Sequence, residues 1–598
     1  MNYSKLRLKS LLFLGLFFTL SPLYSATIYV DKAATGSSNG SSWTNAFIDL
    51  QVAINTSNFG DIIRVAEGNY NAPAISYRLK DGVDIYGGYP SATRGISVFL
   101  IEALRNIRTF PTTLTRNRIG AINPIILINN SLNSTSNLGI TTLDGINIKG
   151  INCVEVNINT LPLNNIIGIR FRDCIFEGAG ALNNRGEHGF LITSGVNSYI
   201  TPQFTNCEFK NFNSACFKLK KRISNGLYML NPSFRNCRFY DSSSGINIYD
   251  LINAALGGGI SISIRDCMFY NLKNTTLKGT TGGALVISGH NSRIIHTRVN
   301  NSIFYNNDAV MTANFSNLSR ISTGFNSCQN TFRNCTFYKN NRKRAFSLYD
   351  KDQELADWQQ HPVLFLDNCI SWDNINAAGK WIELDEGMHV EVENSLLEMT
   401  NANSNGQSTN SAVSLLNPHP IINRIKVNTQ TIFAQNPQFV NPSLSAINLR
   451  VQGSSPVINA GYNLYSYRNE KDLGGVNLRL LDNIIDMGAY EFCEFGEGRC
   501  NPITIDPHDD HHTPMGKIAI KDNSISNQIT IYPNPATNQI NLKTVTPIVS
   551  IELIDTKGQL LRSWANQQQL NIRNLPKGLY ILKITTTGNT QSIRFVKE

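Results

Sequence analysis

A pattern of six residues returns along the middle of the chain and constrains the fold more than any other feature. It runs apolar, any, Asn or Asp, Cys, any, Phe. The copies are Phe171-Arg-Asp-Cys174-Ile-Phe176, Phe204-Thr-Asn-Cys207-Glu-Phe209, Phe234-Arg-Asn-Cys237-Arg-Phe239, Ile264-Arg-Asp-Cys267-Met-Phe269 and Phe332-Arg-Asn-Cys335-Thr-Phe337. Weaker copies, around Ser302, Cys369 and Ser395, fill the gaps. The period averages about 32 residues, which is the spacing of a solenoid.

Each unit consists of short alternating stretches broken by Gly, Asn and Ser, so strands are expected and not the i, i+3, i+4 spacing of helices. In Cys-x-Phe the sulfur and the ring share one strand face and point inward, and the middle residue points out. The Asn or Asp just before is a bend residue, because these types tolerate the left-handed conformation. Stacked rungs, about 4.8 Å apart, then build a Cys/Ser column, aromatic stacks and an Asn ladder. The expected fold is all-β: a right-handed parallel β-helix solenoid followed by a small β-sandwich-like C-terminal domain.

Eleven cysteines in an exported chain would ordinarily suggest disulfides. Serine replaces cysteine at two copies, however, and in-register neighbours point their Cβ atoms in parallel, a poor geometry for bridging. Cys174, Cys207, Cys237, Cys267, Cys335 and Cys369 therefore read as buried packing thiols, with some bridges as the alternative. Cys493 and Cys500 flank a Gly-rich turn beyond the repeat and are the disulfide candidate. Cys153, Cys216 and Cys328 have no assignment.

Export is indicated by Lys5, Arg7 and Lys9 ahead of an apolar run from Leu11 to Leu20. This is the pattern of a secretory signal over residues 1–25, and the run is too short to span a bilayer. Only 16% of residues are charged, and the formal charge of +10 falls to +7 once those three basic residues leave. The excess suits acidic glycans or lipopolysaccharide. Nucleic acid is not expected, since no compact Lys/Arg cluster with interleaved aromatics occurs.

Both ends of a solenoid must be covered. Residues 26–70 should form the N-terminal cap, with Thr44 as a helix N-cap and Phe47, Leu50, Ala53 and Ile54 on one helix face. The string from Ile28-Tyr-Val-Asp31 through Gly60-Asp-Ile-Ile-Arg-Val-Ala-Glu-Gly-Asn-Tyr70 resembles the cap of bacterial surface proteins of the pectin lyase-like fold, and Leu143-Asp-Gly-Ile-Asn-Ile-Lys-Gly150 looks like one of its rungs. Asn436-Pro-Gln-Phe-Val440, Ser455-Pro-Val-Ile-Asn-Ala-Gly461, Asp472-Leu-Gly-Gly475 and Asp486-Met-Gly-Ala-Tyr-Glu-Phe492 are similar to the choice-of-anchor Q closing segment. The solenoid with that segment is expected over 71–492, and the Cys clip with a His- and Asp-rich linker over 493–526. From 527 to 598, Gln528-Ile-Thr-Ile-Tyr-Pro-Asn-Pro-Ala536, Ser550-Ile-Glu-Leu-Ile-Asp-Thr-Lys-Gly558 and Leu575-Pro-Lys-Gly-Leu-Tyr-Ile-Leu-Lys-Ile584 closely resemble the type A sorting domain of the type IX secretion system. The resemblance implies passage through an outer membrane, contact with the type IX machinery and its sortase, removal of this domain and attachment to surface lipopolysaccharide. The protein is then secreted, at the outer-membrane cell surface or extracellular, and a monomer is expected.

No nucleophile elbow, zinc pair or phosphate loop is present, so no metal or cofactor is assigned. The candidate surface is the outer face of the strands that precede each Cys-x-Phe unit. Alternation turns Lys218, Lys220, Asn247, Tyr249, Ser347, Tyr349, Trp381, Glu383 and Asp385 outward. Lysines, aromatics and carboxylates are suited to stacking sugar rings and holding their charges. Glu383 and Asp385 lie two apart, about 6.5 to 7 Å between Cα atoms, which overlaps the carboxyl spacing of inverting glycosidases. They remain weak catalytic candidates beside two other readings: glycan contact without catalysis, and ordinary solvated surface. The expected function is a non-enzymatic adhesin or glycan-binding scaffold. The alternative is a polysaccharide lyase or glycoside hydrolase acting on that outer face, with a polysaccharide as ligand in either case.

Overall fold

The computed structural model describes residues 25–94, 101–116, 123–129, 140–160, 166–179, 187–196, 198–221, 228–250, 258–273, 282–290, 294–316, 327–342, 344–350, 363–377, 381–384, 389–398, 413–415, 424–427, 430–463, 470–474, 479, 484–492, 530–532, 536–543, 548–555, 560–565, 567–586 and 590–598. The signal segment up to residue 24, the 493–526 clip and linker with Cys493 and Cys500, and Asp385 lie outside these residues.

Three parallel sheets run the length of the solenoid. The first extends from Thr27–Val30 to Arg424–Val427, the second from Gly68–Asn71 to Ile432–Phe433, and the third from Ile126–Ile128 to Val413–Leu415. Each coil visits them in turn. Ile166–Arg172 belongs to the first, Ile175–Glu177 to the second and His188–Val196 to the third, and Ser198–Thr205 then returns to the first. This is the right-handed parallel β-helix expected from the repeat.

The six-residue pattern is the corner between the first and second sheets. Asp173, Asn206, Asn236, Asp266, Asn301, Asn334, Asn368 and Asn394 all adopt positive φ, between 45° and 56°. Their short polar side chains make that conformation tolerable and bond from rung to rung: Asn236 Nδ2 donates to Asn206 Oδ1 at 2.7 Å, and Asn206 Nδ2 to Asp173 Oδ1 at 3.0 Å. Past the corner, Phe176, Phe209, Phe239, Phe269 and Phe304 stack with centroids 4.4 to 4.9 Å apart and planes within 4°. Phe171, Phe204 and Phe234 form a second stack that meets the first edge to face. The interior is therefore filled by aromatic columns.

The cysteine column is present and its thiols are free and buried. Cys207 Sγ donates to Thr205 O at 3.4 Å, and the Cys237 N–H donates to Cys267 Sγ at 3.4 Å. Serine does the same at closer range: Ser302 Oγ donates to Asn300 O at 2.8 Å and accepts from Cys267 N at 3.1 Å. Either residue satisfies the backbone of the corner, which explains their interchange. Cys153 and Cys216 are also buried and free, where the chain enters the third sheet. Cys328 lies in the strand Ser327–Arg333.

A second left-handed corner, which sequence reasoning did not identify, closes the three-residue strand of the second sheet. Asn211, Asp241, Asn271, Asn306, Lys339 and Asp373 occupy it at φ 48° to 63°. Just beyond, Asn307, Asn340 and Asn374 form a buried ladder in which Asn340 Oδ1 accepts from Asn307 N at 3.2 Å and Asn374 Oδ1 from Asn340 N at 2.9 Å.

The N-terminal helix is Leu50–Thr56, and its cap is Asp49, not Thr44. The Asp49 carboxylate accepts from Gln51 N at 2.6 Å and Val52 N at 3.1 Å, which the Thr44 position, five residues earlier, cannot reach. Leu50, Ala53 and Ile54 are buried, and Phe47 packs half-buried against the core.

The closing segment takes a course the sequence did not reveal. Phe439, Leu449, Val457, Leu473, Met487 and Ala489 pack on the outer face of the second sheet, against Met268, Tyr270, Ile303, Tyr305, Tyr338, Ile370 and Leu396. Corner residues dock it: Asn301 Nδ2 donates to Lys471 O at 3.0 Å and Asn368 Nδ2 to Tyr462 O at 3.0 Å. The buried Arg479 guanidinium donates to Asn301 Oδ1 at 2.9 and 3.1 Å and to Glu491 Oε1 at 2.7 Å.

Residues 530–598 belong to a second compact unit. It has a three-stranded and a four-stranded antiparallel sheet around a core of its own, which includes Ile540, Ile551, Leu570, Leu582 and Phe595.

Candidate glycan-binding face

The third sheet carries the residues singled out from sequence, and its register fixes their neighbours. Lys218, Asn247, Val286, Thr312, Ser347 and Glu383 follow one another in one column. Lys220, Tyr249, Ser288, Asn314 and Tyr349 form the adjacent column, two residues on. Phe217, Ile246, Leu285, Met311, Phe346 and Ile382 alternate with them and fill the interior. From the Lys218 strand to the Glu383 strand there are five steps, about 24 Å at about 4.8 Å each.

The two ends of this stripe differ. At one end Lys220 and Tyr249 are exposed and Lys218 is half-buried. Burial, and then the neighbouring Lys220, lowers the pKa of Lys218. His188, at the start of the adjoining strand, is held below its ordinary value by burial, Lys218 and Lys220, so it stands neutral beside two ammonium groups.

At the other end Glu383 is only 4% exposed. Its Oε1 pairs with Arg344 Nη2 at 2.8 Å, and its Oε2 accepts the Tyr349 hydroxyl. Burial, and then this bond to Glu383, raises the Tyr349 phenol to about 12. Both oxygens of Glu383 are thus engaged, one by the Arg344 guanidinium and the other by the Tyr349 hydroxyl. Arg344 thus has an internal task, and Arg342 likewise reaches Asp308 Oδ1 at 3.1 Å.

Trp381 is a correction, because it is 1% exposed and does not face outward. Ile382 pairs with Phe346, so Trp381 falls in register with the buried Ala345, at the corner where the chain enters the sheet and two successive residues turn inward. Its Nε1 donates to Ser371 Oγ at 3.0 Å and its ring meets Phe346 edge to face at 5.7 Å. Strict alternation fails at that corner.

Two further features of the outward slots escaped the sequence reading. The residue after the Phe of the repeat is Tyr in successive rungs, and Tyr240, Tyr270 and Tyr305 stack at 4.8 and 4.9 Å along the outside of the second sheet. The second position of the repeat, treated as free, is Arg at 172, 235, 265 and 333. Both signals were available in the repeat itself.

Residues 530–598 match the family model described as a secretion system C-terminal sorting domain. No curated protein sequence matches the chain. Among solved structures, pectate lyase Pel9A is similar at 13% identity and a TM-score of 0.43, over 79% of this chain and 98% of its own. A full-length tailspike protein 2 from Escherichia coli O157:H7 bacteriophage CAB120 is similar at 12% identity and a TM-score of 0.36, over 96% of this chain and 63% of its own. The chain is a parallel β-helix carrying a type IX secretion C-terminal sorting domain, and so a protein secreted to the cell surface or beyond it through the type IX machinery.

Proposed function

We propose that the protein is a non-enzymatic scaffold that displays its β-helix at the cell surface and binds a glycan along the outer face of the third sheet. The observation that carries this reading is the register of that face, which aligns Lys220 with Tyr249 on the next rung and Tyr349 three rungs further along, with Lys218 in the adjacent column. An exposed aromatic beside ammonium groups offers a sugar chain a stacking surface and charge-assisted hydrogen bonds. The engaged state of Glu383 weighs against hydrolysis at this face. Removal of the sorting domain and attachment to lipopolysaccharide complete the proposal.

A glycan array probed with the full chain and with the Lys218→Gln/Lys220→Gln/Tyr249→Ala variant tests it. Binding should be lost in the variant, while the parent releases neither reducing ends nor unsaturated products from the glycans it binds. Binding unchanged in the variant, or product release that Glu383→Gln abolishes, would overturn the reading.

A further inference from the structure

The outer face of the first sheet carries a second stripe, separate from the third-sheet face. In register, Arg172, Thr205, Arg235, Arg265, Asn300 and Arg333 form one column. Arg170 and Arg298 stand in the neighbouring column, two residues back on their strands. Five of six successive rungs therefore present a guanidinium, over about 24 Å at about 4.8 Å per rung. Carboxylates bound the stripe: Asp144 precedes Arg172 in the column and Asp367 follows Arg333.

The arginines have ion-pair partners, yet the face they present is positive. Arg235 is paired with Asp266 at 3.8 Å, Arg333 with Asp367 at 3.3 Å and Arg172 with Asp144 at 3.4 Å. The side-chain exposures are 71% against 19%, 45% against 14% and 39% against 9%. In these three pairs the carboxylates lie low and the guanidinium heads stand above them, whereas Arg265, 34% exposed, is held by Asp266 at 3.5 Å and by Glu470 at 3.2 Å. Arg298 is exposed, and its charge adds to burial in lowering the pKa of His296, two residues before it on the same strand. The exposed ends of these guanidinium groups can therefore take up an incoming anion while the low-lying carboxylates keep their contacts beneath.

We infer that this stripe binds an extended acidic polysaccharide, with successive carboxylate or sulfate groups engaging guanidinium groups on successive rungs. A planar fork that donates two parallel hydrogen bonds suits such oxyanions better than an ammonium does. The rung spacing is close to the length of one sugar ring in an extended chain, so an anion on each sugar stays in step with the ladder. The stripe is one to two residues wide and straight, which fits a single polymer chain and not the two phosphate strands of a duplex. The inference does not rest on the third-sheet face, since it concerns other residues and needs a charged ligand.

The test measures binding of the full chain to heparin, polygalacturonate, neutral dextran and duplex DNA across a salt titration. Heparin or polygalacturonate should bind with an affinity that falls steeply as salt rises, and dextran should not bind at this face. Arg235→Gln/Arg298→Gln/Arg333→Gln should weaken acidic-glycan binding about tenfold or more and flatten its salt dependence. The Lys variant at the same three positions keeps the charge without the fork, so it should bind more weakly than the parent and more tightly than the Gln variant. Lys149→Gln/Lys210→Gln, on the outer face of the second sheet where both lysines pair with Glu177, should leave acidic-glycan binding intact. Salt-insensitive binding, equal loss in both sets of variants, or capture of duplex DNA alone would overturn the inference.

Discussion

A left-handed residue at a fixed place in every coil makes the Asn and Asp corners the points where side-chain chemistry and backbone shape meet. At Asn236, φ is 54° and the side-chain amide bonds to the rung before. Asn236→Ala loses the bond and places an ordinary Cβ in the left-handed region, so it should cost about 2 kcal/mol. Asn236→Gly keeps the conformation at ease and should cost about half of that, and urea denaturation of the two variants measures the difference. The cysteine column makes a companion case. Because serine already occupies it at 302 and 395, Cys237→Ser should change stability by less than about 1 kcal/mol, whereas Cys237→Val removes the sulfur contacts and overfills the corner at about 1 to 3 kcal/mol. These residues were legible because a buried repeat cannot vary. Trp381 was misread because alternation was extended through a corner, where the chain turns and inside and outside no longer alternate.

At the scale of elements, the closing segment is the structure that local pattern did not reveal. Met268, Ile303, Ile370 and Leu396 occupy the outward slot of the short strands, where sequence reading expects solvent, and they are buried because residues from 439 onward lie over them. An apolar residue in an outward slot marks a covered face, but which segment covers it depends on pairings more than a hundred residues apart, such as Ala489 N to Thr336 Oγ1 at 3.0 Å. The segment is stapled by Arg479, whose guanidinium is buried against Asn301 and Glu491. Arg479→Met leaves Glu491 buried beside Asp486 without its guanidinium, a loss of about 3 to 5 kcal/mol for the docked segment. Hydrogen exchange should then show residues 439–492 losing protection while the aromatic columns inside the rungs stay protected.

At the scale of the whole molecule, folding and export are carried by different parts of the chain. The solenoid closes its own core through stacked phenylalanines and a strap of its own sequence. The C-terminal unit has its own antiparallel sheets and its own apolar centre, in which Ile551, Leu553, Leu582 and Phe595 are fully buried. Units that each bury a separate core fold as separate units, so removing one should not unfold the other. The sequence match to the sorting family ends with the chain and begins at residue 530, inside that second unit. Deletion of residues 527–598 should therefore leave the β-helix with its β-type circular dichroism and its resistance to proteolysis, while cell fractionation finds it in the periplasm and not at the surface. The complementary arm attaches 527–598 to an exported reporter, which should then leave the periplasm. Normal surface display of the truncated protein would remove the export role from this domain, and collapse of the truncated β-helix would show that the two cores are not independent.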